Sequence, residues 1–368
     1  MSFAPSARTS SAVTIIRPLL IGCIMLAHLF AMDSEGVLNA AAALNFDDWL
    51  TVFLKSTLAK SGVPLLSLVS GYLAVRSLRQ YGYPRLLGRK ARRLVWPLLW
   101  ANLLFILLIG YPQQAADPTY RPDLQLHPVN AFGWLQASFA FYRLPANQPL
   151  FFLKDLFTCF LLLPLLLAVA KVRVVNFLVL PWMAWKCITL DAVFLFPVYP
   201  LWFMRFDIVF AFYIGILLYL HERDLVIRDE RLGAALVVLF LVVCAAVSAL
   251  YVVWEKTQHV TLFLWLDFTV KTVSVVGCIA LMSQLSRSEN PAAGALKRLS
   301  PYAYSMFLTH AISFTLFHQA WMAWLDPPVF FGVSGVIYIL AIFAVGIGAA
   351  VGLRLAWGAA ISRVSARA

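Results

Sequence analysis

Long apolar stretches alternate along this chain with short breaks that are basic, acidic or rich in proline. Ten stretches have the length of membrane spans, at about 13–32, 50–75, 91–111, 149–170, 174–190, 201–220, 232–254, 260–284, 300–324 and 329–356. A helix rising 1.5 Å per residue needs about 20 apolar residues to cross a hydrocarbon core of about 30 Å. The pattern predicts an all-α, polytopic integral membrane bundle of about ten transmembrane helices. The first stretch and its short Arg-bearing lead could also pass for a signal peptide. Arg17 lies inside that stretch and further spans follow, so an uncleaved first helix is the more economical reading.

Composition narrows the class. Of the 368 residues, 62% are hydrophobic and 12% charged, against roughly 45–50% and 25% in soluble domains. So few charges could not cover a soluble enzyme of this size. The same numbers exclude a disordered chain, a nucleic-acid-binding domain and a secreted disulfide scaffold. The five cysteines, Cys23, Cys159, Cys187, Cys244 and Cys278, are odd in number and lie within or beside apolar stretches. They read as packing residues rather than a disulfide or metal site.

The net charge of +12 becomes informative once placed on the loops. With the N-terminus in the cytoplasm, the inward loop after the second span holds Arg76, Arg79, Arg85, Arg89, Lys90, Arg92 and Arg93. The next inward segments hold Lys171 and Arg173, then Arg223, Arg228 and Arg231, then Arg287, Lys297 and Arg298, and finally Arg354, Arg363 and Arg367. The first outward loop carries Asp33, Glu35, Asp47 and Asp48 before Lys55. This bias predicts both termini in the cytoplasm. The longest outward segment, 112–148, contains Pro112, Pro118, Pro122, Pro128 and Pro145. It is too short and irregular for a catalytic domain, and reads either as a lid over substrate or as a plain connector. Any chemistry is expected in the bundle or at its two mouths.

Ionisable residues inside spans cost a few kcal/mol or more at the bilayer centre. Arg17 and His28 stand out in the first span. Eleven residues at ~100° each make about three turns, so the two share a helix face, about 16 Å apart along the axis. Arg17 falls near the cytoplasmic boundary, as a snorkelling residue also would. His28 falls about two-thirds of the way toward the outer side, where a structural histidine is the plain alternative.

An Arg, ten residues and a His in the first helix resembles the signature of acyltransferase family 3, the membrane-bound acyltransferases. Gly62-Val63-Pro64 through Ser70-Gly71-Tyr72-Leu73 is similar to that family's second-helix segment. Leu87-Gly88-Arg89-Lys90-Ala91-Arg92-Arg93-Leu94, with Pro97 and Trp100, resembles its basic entry to the third helix. Pro149-Leu150-Phe151-Phe152-Leu153-Lys154-Asp155-Leu156 resembles its Trp-Phe-Leu-Arg-x-Leu segment, and Pro301-Tyr302-Ala303-Tyr304-Ser305 through Leu308-Thr309-His310 its late Tyr-Leu-x-His segment. The resemblance runs from about 13 to 356, and five motifs stand in the expected order. Lys154 departs from the family's commoner Arg, and Phe151 and Phe152 stand where a Trp is usual. Lys is a point charge and forms no bidentate fork.

The resemblance implies one membrane acyltransferase-like domain over 1–368, with 112–148 an extracytoplasmic loop within it. It implies transfer of an acyl group, usually acetyl, from acyl-CoA to a hydroxyl of an exported or cell-surface carbohydrate. The expected partners are acyl-CoA, a carbohydrate acceptor, the lipid bilayer and polysaccharide-assembly proteins, with no nucleic acid, bound cofactor or metal. The expected setting is a bacterial inner membrane. Arg89, Lys90, Arg92 and Arg93 could dock the donor's phosphates, although a positive-inside loop needs such residues anyway. Arg17 would help hold the donor. His28 could act as the base for the acceptor hydroxyl, by direct transfer or through an acyl-histidine.

Other polar residues remain open between acceptor contact and structure: Ser70, Lys154 with Asp155, Arg205 with Asp207, and His310. Ser70 and Gly71 would also permit close helix packing. Asp267 and Lys271, four apart, read mainly as an ion pair on one helix face. Walker-type, His-Glu-x-x-His and Gly-x-Ser-x-Gly motifs are absent from the sequence. The competing class is a secondary transporter or flippase for a lipid-linked sugar. Such carriers often show two related halves, which this sequence does not.

Overall fold

The computed structural model describes residues 6–29, 46–121, 123–141, 144–189, 204–257, 260–287, 291–325 and 333–365. Asp33, Glu35, Pro122 and Arg367 lie outside them, as do the expected span ends at 30–32, 190, 201–203 and 329–332. The described residues form helices and turns, with no strand among them. In chain order the α-helices are α1 (Ala7–Ala27), α2 (Phe46–Val52), α3 (Gly62–Tyr81), α4 (Tyr83–Lys90), α5 (Trp96–Phe105), α6 (Tyr111–Ala116), α7 (Ala131–Phe139) and α8 (Phe151–Leu161). They continue with α9 (Leu163–Ala170), α10 (Arg173–Thr189), α11 (Phe206–Leu220), α12 (Glu230–Thr257), α13 (Val260–Leu285), α14 (Pro291–Leu299), α15 (Ala303–Trp324) and α16 (Val333–Ser365).

Among the described residues, six helical stretches are long and apolar enough to cross a membrane: Arg8–Ala27, Trp49–Tyr81, Tyr83–Ala116, Glu230–Tyr251, Leu262–Leu285 and Val333–Ala356. The sequence pattern predicts ten, and the difference has physical causes. The stretch 149–170 is broken by a 61° bend between α8 and α9. Pro164 follows the bend. It has no N–H, and its ring clashes with the carbonyl four residues back, which kinks a helix. With this bent pair the count is seven. Helix α11 is apolar but short, and α10 has only 17 residues. Helix α15 has 22, but Ser305, Thr309, His310, Ser313, Thr315, His318 and Gln319 lower its hydropathy.

The most extensive helix contact joins α3 and α11. It depends on two glycines facing opposite backbones. A Cβ on Gly71 would lie 2.0 Å from the Phe212 carbonyl oxygen, and one on Gly215 would lie 2.1 Å from that of Leu68. Only a hydrogen at each position lets the backbones approach this closely. Gly71 thus serves the packing expected of it. Ser70, one residue earlier, is half-buried and lines neither cavity described below. Helices α12 and α13 form a second close pair, and α15 and α16 a third. Helix α1 touches α3, α13 and α15 and so runs through the interior, with Ala12, Ile15, Ile16, Leu20 and Met25 fully buried.

The segment 112–148 is neither featureless nor detached. Gln114 holds it together with its whole amide. Its Oε1 accepts from the Leu126 and His127 N–H groups at 2.5 and 2.9 Å, and its Nε2 donates to the Tyr120 and Arg121 carbonyls at 3.2 and 3.0 Å. Asn102 of α5 ties the segment to the bundle, donating to the Ser138 carbonyl at 2.8 Å and accepting from the Asn147 N–H at 3.0 Å. Buried amides satisfied on both ends fix a loop, because leaving any of these groups unpaired costs about 1–3 kcal/mol.

Candidate active site

His28 caps the C-terminal end of α1, its backbone N–H bonded to the Met25 carbonyl at 3.1 Å. Its ring faces that of His310 from α15, with centroids 5.5 Å apart and planes tilted by 42°. His310 is fully buried. Its Nδ1 lies 2.8 Å from the Phe307 carbonyl oxygen. A carbonyl only accepts, so Nδ1 carries the hydrogen and Nε2 presents a lone pair. That Nε2 is buried and has no hydrogen-bond partner among the described residues. An unpaired buried acceptor beside a second histidine is an unusual and costly arrangement.

His28 also lines a cavity of about 540 Å³, with Lys55, Gln113, Tyr120, Arg121, Gln148 and His318 among the other walls. The size falls within the range of small-molecule sites, about 300–1,000 Å³. The pinned segment 112–148 supplies Gln113, Tyr120, Arg121 and Ala146, so it roofs this chamber. Arg121 is held there by the Ala146 carbonyl at 3.0 Å and Asp123 at 3.2 Å. His318 and Lys55 are missing from the sequence-based candidates. The wall contributed by α15 is Ala311, Phe314, Thr315, His318 and Gln319. Those positions follow i, i+3, i+4, i+7, i+8, the spacing of one helix face. The polar members of that face were the available signal. His318 is oriented by Tyr338 of α16, whose hydroxyl lies 3.0 Å from its Nδ1.

Of the expected donor-binding residues, Arg17, Arg89, Lys90 and Arg93 gather about the middle of α1, three turns from His28. Lys90 lies within electrostatic range of Arg17, Arg89 and Arg93. Its ammonium sits 4.1 Å from the centre of the Phe160 ring, and the Arg89 guanidinium 4.1 Å from that of Tyr81. Four cations from α1, α4 and the π-helical turn Ala91–Val95 thus lie close together around Lys90. Uncompensated like charges are an arrangement that a bound anion would relieve. Arg92 and Arg93 also line a second cavity, beside α5.

The remaining candidates line neither cavity. Lys154 and Asp155 are buried, at 3% and 0% exposure. Lys154 donates to the carbonyl of Ala140 at 3.0 Å, the left-handed residue that ends α7 (φ 57°). A lysine there secures the roof of the chamber, and a point charge suffices for one carbonyl. Asp155 accepts from the Arg205 N–H at 3.2 Å. Arg205 pairs with Asp207 at 2.7 Å, Asp207 with Lys271 at 2.9 Å, Lys271 with Asp267 at 2.5 Å, and Asp267 with Lys60 at 2.6 Å. The pair expected on one helix face is thus part of a chain of alternating charges that joins α8, α11, α13 and the turn before α3. The five cysteines are free; Cys23 is half-buried and the other four buried.

Apolar helices long enough to span a membrane, with a histidine pair at one end of α1 and cations gathered about its middle, mark an integral membrane protein that keeps polar and ionisable groups inside its bundle. The chain belongs to acyltransferase family 3: the family's model, described as an acyltransferase domain, matches residues 11–354. It is similar to the succinoglycan biosynthesis protein ExoH of Rhizobium meliloti (strain 1021), with 31% identity over 330 residues, covering 86% of this chain and 81% of that protein. No solved structure matches.

Proposed function

We propose that this protein is a membrane O-acyltransferase that moves an acyl group, acetyl in the first instance, from cytoplasmic acyl-CoA to a hydroxyl of a polysaccharide or oligosaccharide on the outer side. Membership of acyltransferase family 3 supports the reaction class, and similarity to a succinoglycan biosynthesis protein supports a polysaccharide acceptor. The observation that carries the mechanism is the His28–His310 pair beneath the roofed chamber, with the cation cluster about 16 Å down the same helix.

In this reading the basic end faces the cytoplasm, both termini lie there, and the four stretches short of the spanning criterion complete a ten-span bundle in a bacterial inner membrane. Arg17, Arg89 and Lys90 hold the donor's phosphates, so that its pantetheine arm rises into the bundle. The acceptor enters the chamber under segment 112–148. His28 touches the acceptor hydroxyl and takes its proton. The hydroxyl oxygen bonds to the thioester carbonyl carbon, the carbon–sulfur bond breaks, and the thiolate leaves with the electron pair. The proton on His28 then passes to that thiolate. His310 is a positioning residue: its buried Nε2, unpaired in the resting structure, faces the His28 ring as a ready acceptor and would favour the imidazolium as it forms.

The test uses membranes containing the full chain, given acyl-labelled acetyl-CoA and the host's glycan. Acyl label must appear on glycan, and glycan from cells lacking the gene must be lighter by one acyl unit per modified site. Movement of sugar across the membrane without acylation would replace this reading by a carrier.

A further inference from the structure

The second cavity, of about 440 Å³, lies between α5, α15 and the end of α16. Its walls are mostly apolar: Trp96, Trp100, Leu104, Leu308, Ile312 and Leu353. One end is different in kind. Arg92, Arg93 and Arg354 gather there, and among the described residues the lining contains no carboxylate. All three arginines are exposed, and Trp96 and Trp100 are 52% and 54% exposed. The groove therefore opens sideways, between the candidate spans Tyr83–Ala116 and Val333–Ala356.

Its rim is built by several elements. The Tyr304 hydroxyl donates to the Arg93 carbonyl, and Arg354 donates to the Pro301 carbonyl while lying 5.0 Å from the Tyr302 ring centre. From Trp96 to Leu104 the apolar part of the groove runs along eight residues, about 12 Å. Half of a hydrocarbon core is about 15 Å, so the apolar part fits within one leaflet.

We propose that this groove is a binding site for an anionic phospholipid of the leaflet at the basic end. The headgroup phosphate sits among Arg92, Arg93 and Arg354, and one acyl chain lies along Trp96, Trp100, Leu104 and Leu308. Tryptophan at the level of the headgroups suits the same placement. A zwitterionic headgroup brings its own cation, which three arginines without a carboxylate disfavour. Helix α15 lends this groove Tyr304, Leu308 and Ile312 and holds His310 against His28. A lipid wedged there braces the helix that positions the reacting pair. The inference does not depend on the proposed reaction.

Native mass spectrometry of the purified full chain, titrated separately with phosphatidylglycerol and phosphatidylcholine, tests it. Wild type should retain phosphatidylglycerol in preference. R92Q/R354Q should lose that preference by roughly tenfold or more, since each basic residue near an anionic surface counts substantially. L308W, which fills the groove and keeps its charges, should release both lipids. The H28A variant should bind lipid like wild type, which separates this test from that of the reaction. Equal retention of the two lipids by wild type, or unchanged preference in R92Q/R354Q, would overturn the proposal. So would displacement of phosphatidylglycerol by acetyl-CoA or by glycerol phosphate, the first making the groove part of the donor site and the second making it a simple phosphate site. Should R92Q/R354Q not fold, quenching of tryptophan fluorescence by brominated phosphatidylglycerol, reduced in W96F/W100F by the share those two of the twelve tryptophans carry, reads the same contact. Quenching undiminished in W96F/W100F would count against it.

Discussion

Replacing Asp207 by Asn tests the buried charge chain at its weakest point. One carboxylate, 7% exposed, serves two cations, Arg205 at 2.7 Å and Lys271 at 2.9 Å. The substitution preserves volume and leaves both cations short of a partner. Lys271 keeps Asp267 at 2.5 Å, while Arg205 keeps, among the described residues, the ring of Phe151, at 4.8 Å, and the neighbouring Asp155. Removing one partner of a buried ion pair costs about 3–5 kcal/mol. Arg205 is 26% exposed and Lys271 13%, so screening pulls the expectation to the lower end, roughly 3 kcal/mol. That shifts the folded-to-unfolded ratio by more than about a hundredfold. A thermal-stability series in detergent, read by size-exclusion chromatography, should place D207N about 4 °C below wild type. The double variant D207N/K271M also removes a cation and should regain part of the loss. If D207N melts within a degree of wild type, or the double variant is no more stable than D207N, these charges are not what holds α11 to α13.

Four further outcomes are expected. G71A places a methyl 2.0 Å from the Phe212 oxygen, so α3 and α11 must separate; a loss of about 1–3 kcal/mol or more should appear as a lower melting temperature and reduced activity. Q114L removes four hydrogen bonds from the chamber roof, and limited proteolysis should then cut within 112–148 faster than in wild type. K154A leaves the Ala140 carbonyl without its ammonium; KM for the glycan should rise several-fold while KM for acetyl-CoA stays constant, whereas K154R should retain most function. H310A should lower kcat by roughly 10²-fold, the lower end of proton-transfer effects, with KM for acetyl-CoA unchanged and the pH dependence of kcat displaced; a uniform loss of folded protein would mean a structural role instead.

Some of this was legible residue by residue. Arg17 and His28 lie on one helix, so periodicity alone put them in phase and about 16 Å apart. Asp267 and Lys271 were readable as a pair because four residues make a turn. Their partners were not, since Lys60 lies 207 residues from Asp267 and helical periodicity carries no information across that distance. The approach of His310 to His28 likewise needed the packing of α15 on α1. The polar face of α15 explains two differences at once. It falls short of the spanning criterion because Thr315, His318 and Gln319 interrupt its apolarity, and those same residues wall the chamber. The sequence leaves Lys154 open between acceptor contact and structure; the helix end it secures is a tertiary partner that no local pattern reveals.

The most direct test of the central claim is acyl transfer by H28A. Membranes carrying wild type or H28A, matched for inserted full-length protein, receive acyl-labelled acetyl-CoA and glycan. Loss of glycan labelling in H28A, with insertion and melting temperature preserved, is the result predicted for a base at this position. Labelling at the wild-type rate would remove His28 from the chemistry and contradict the account.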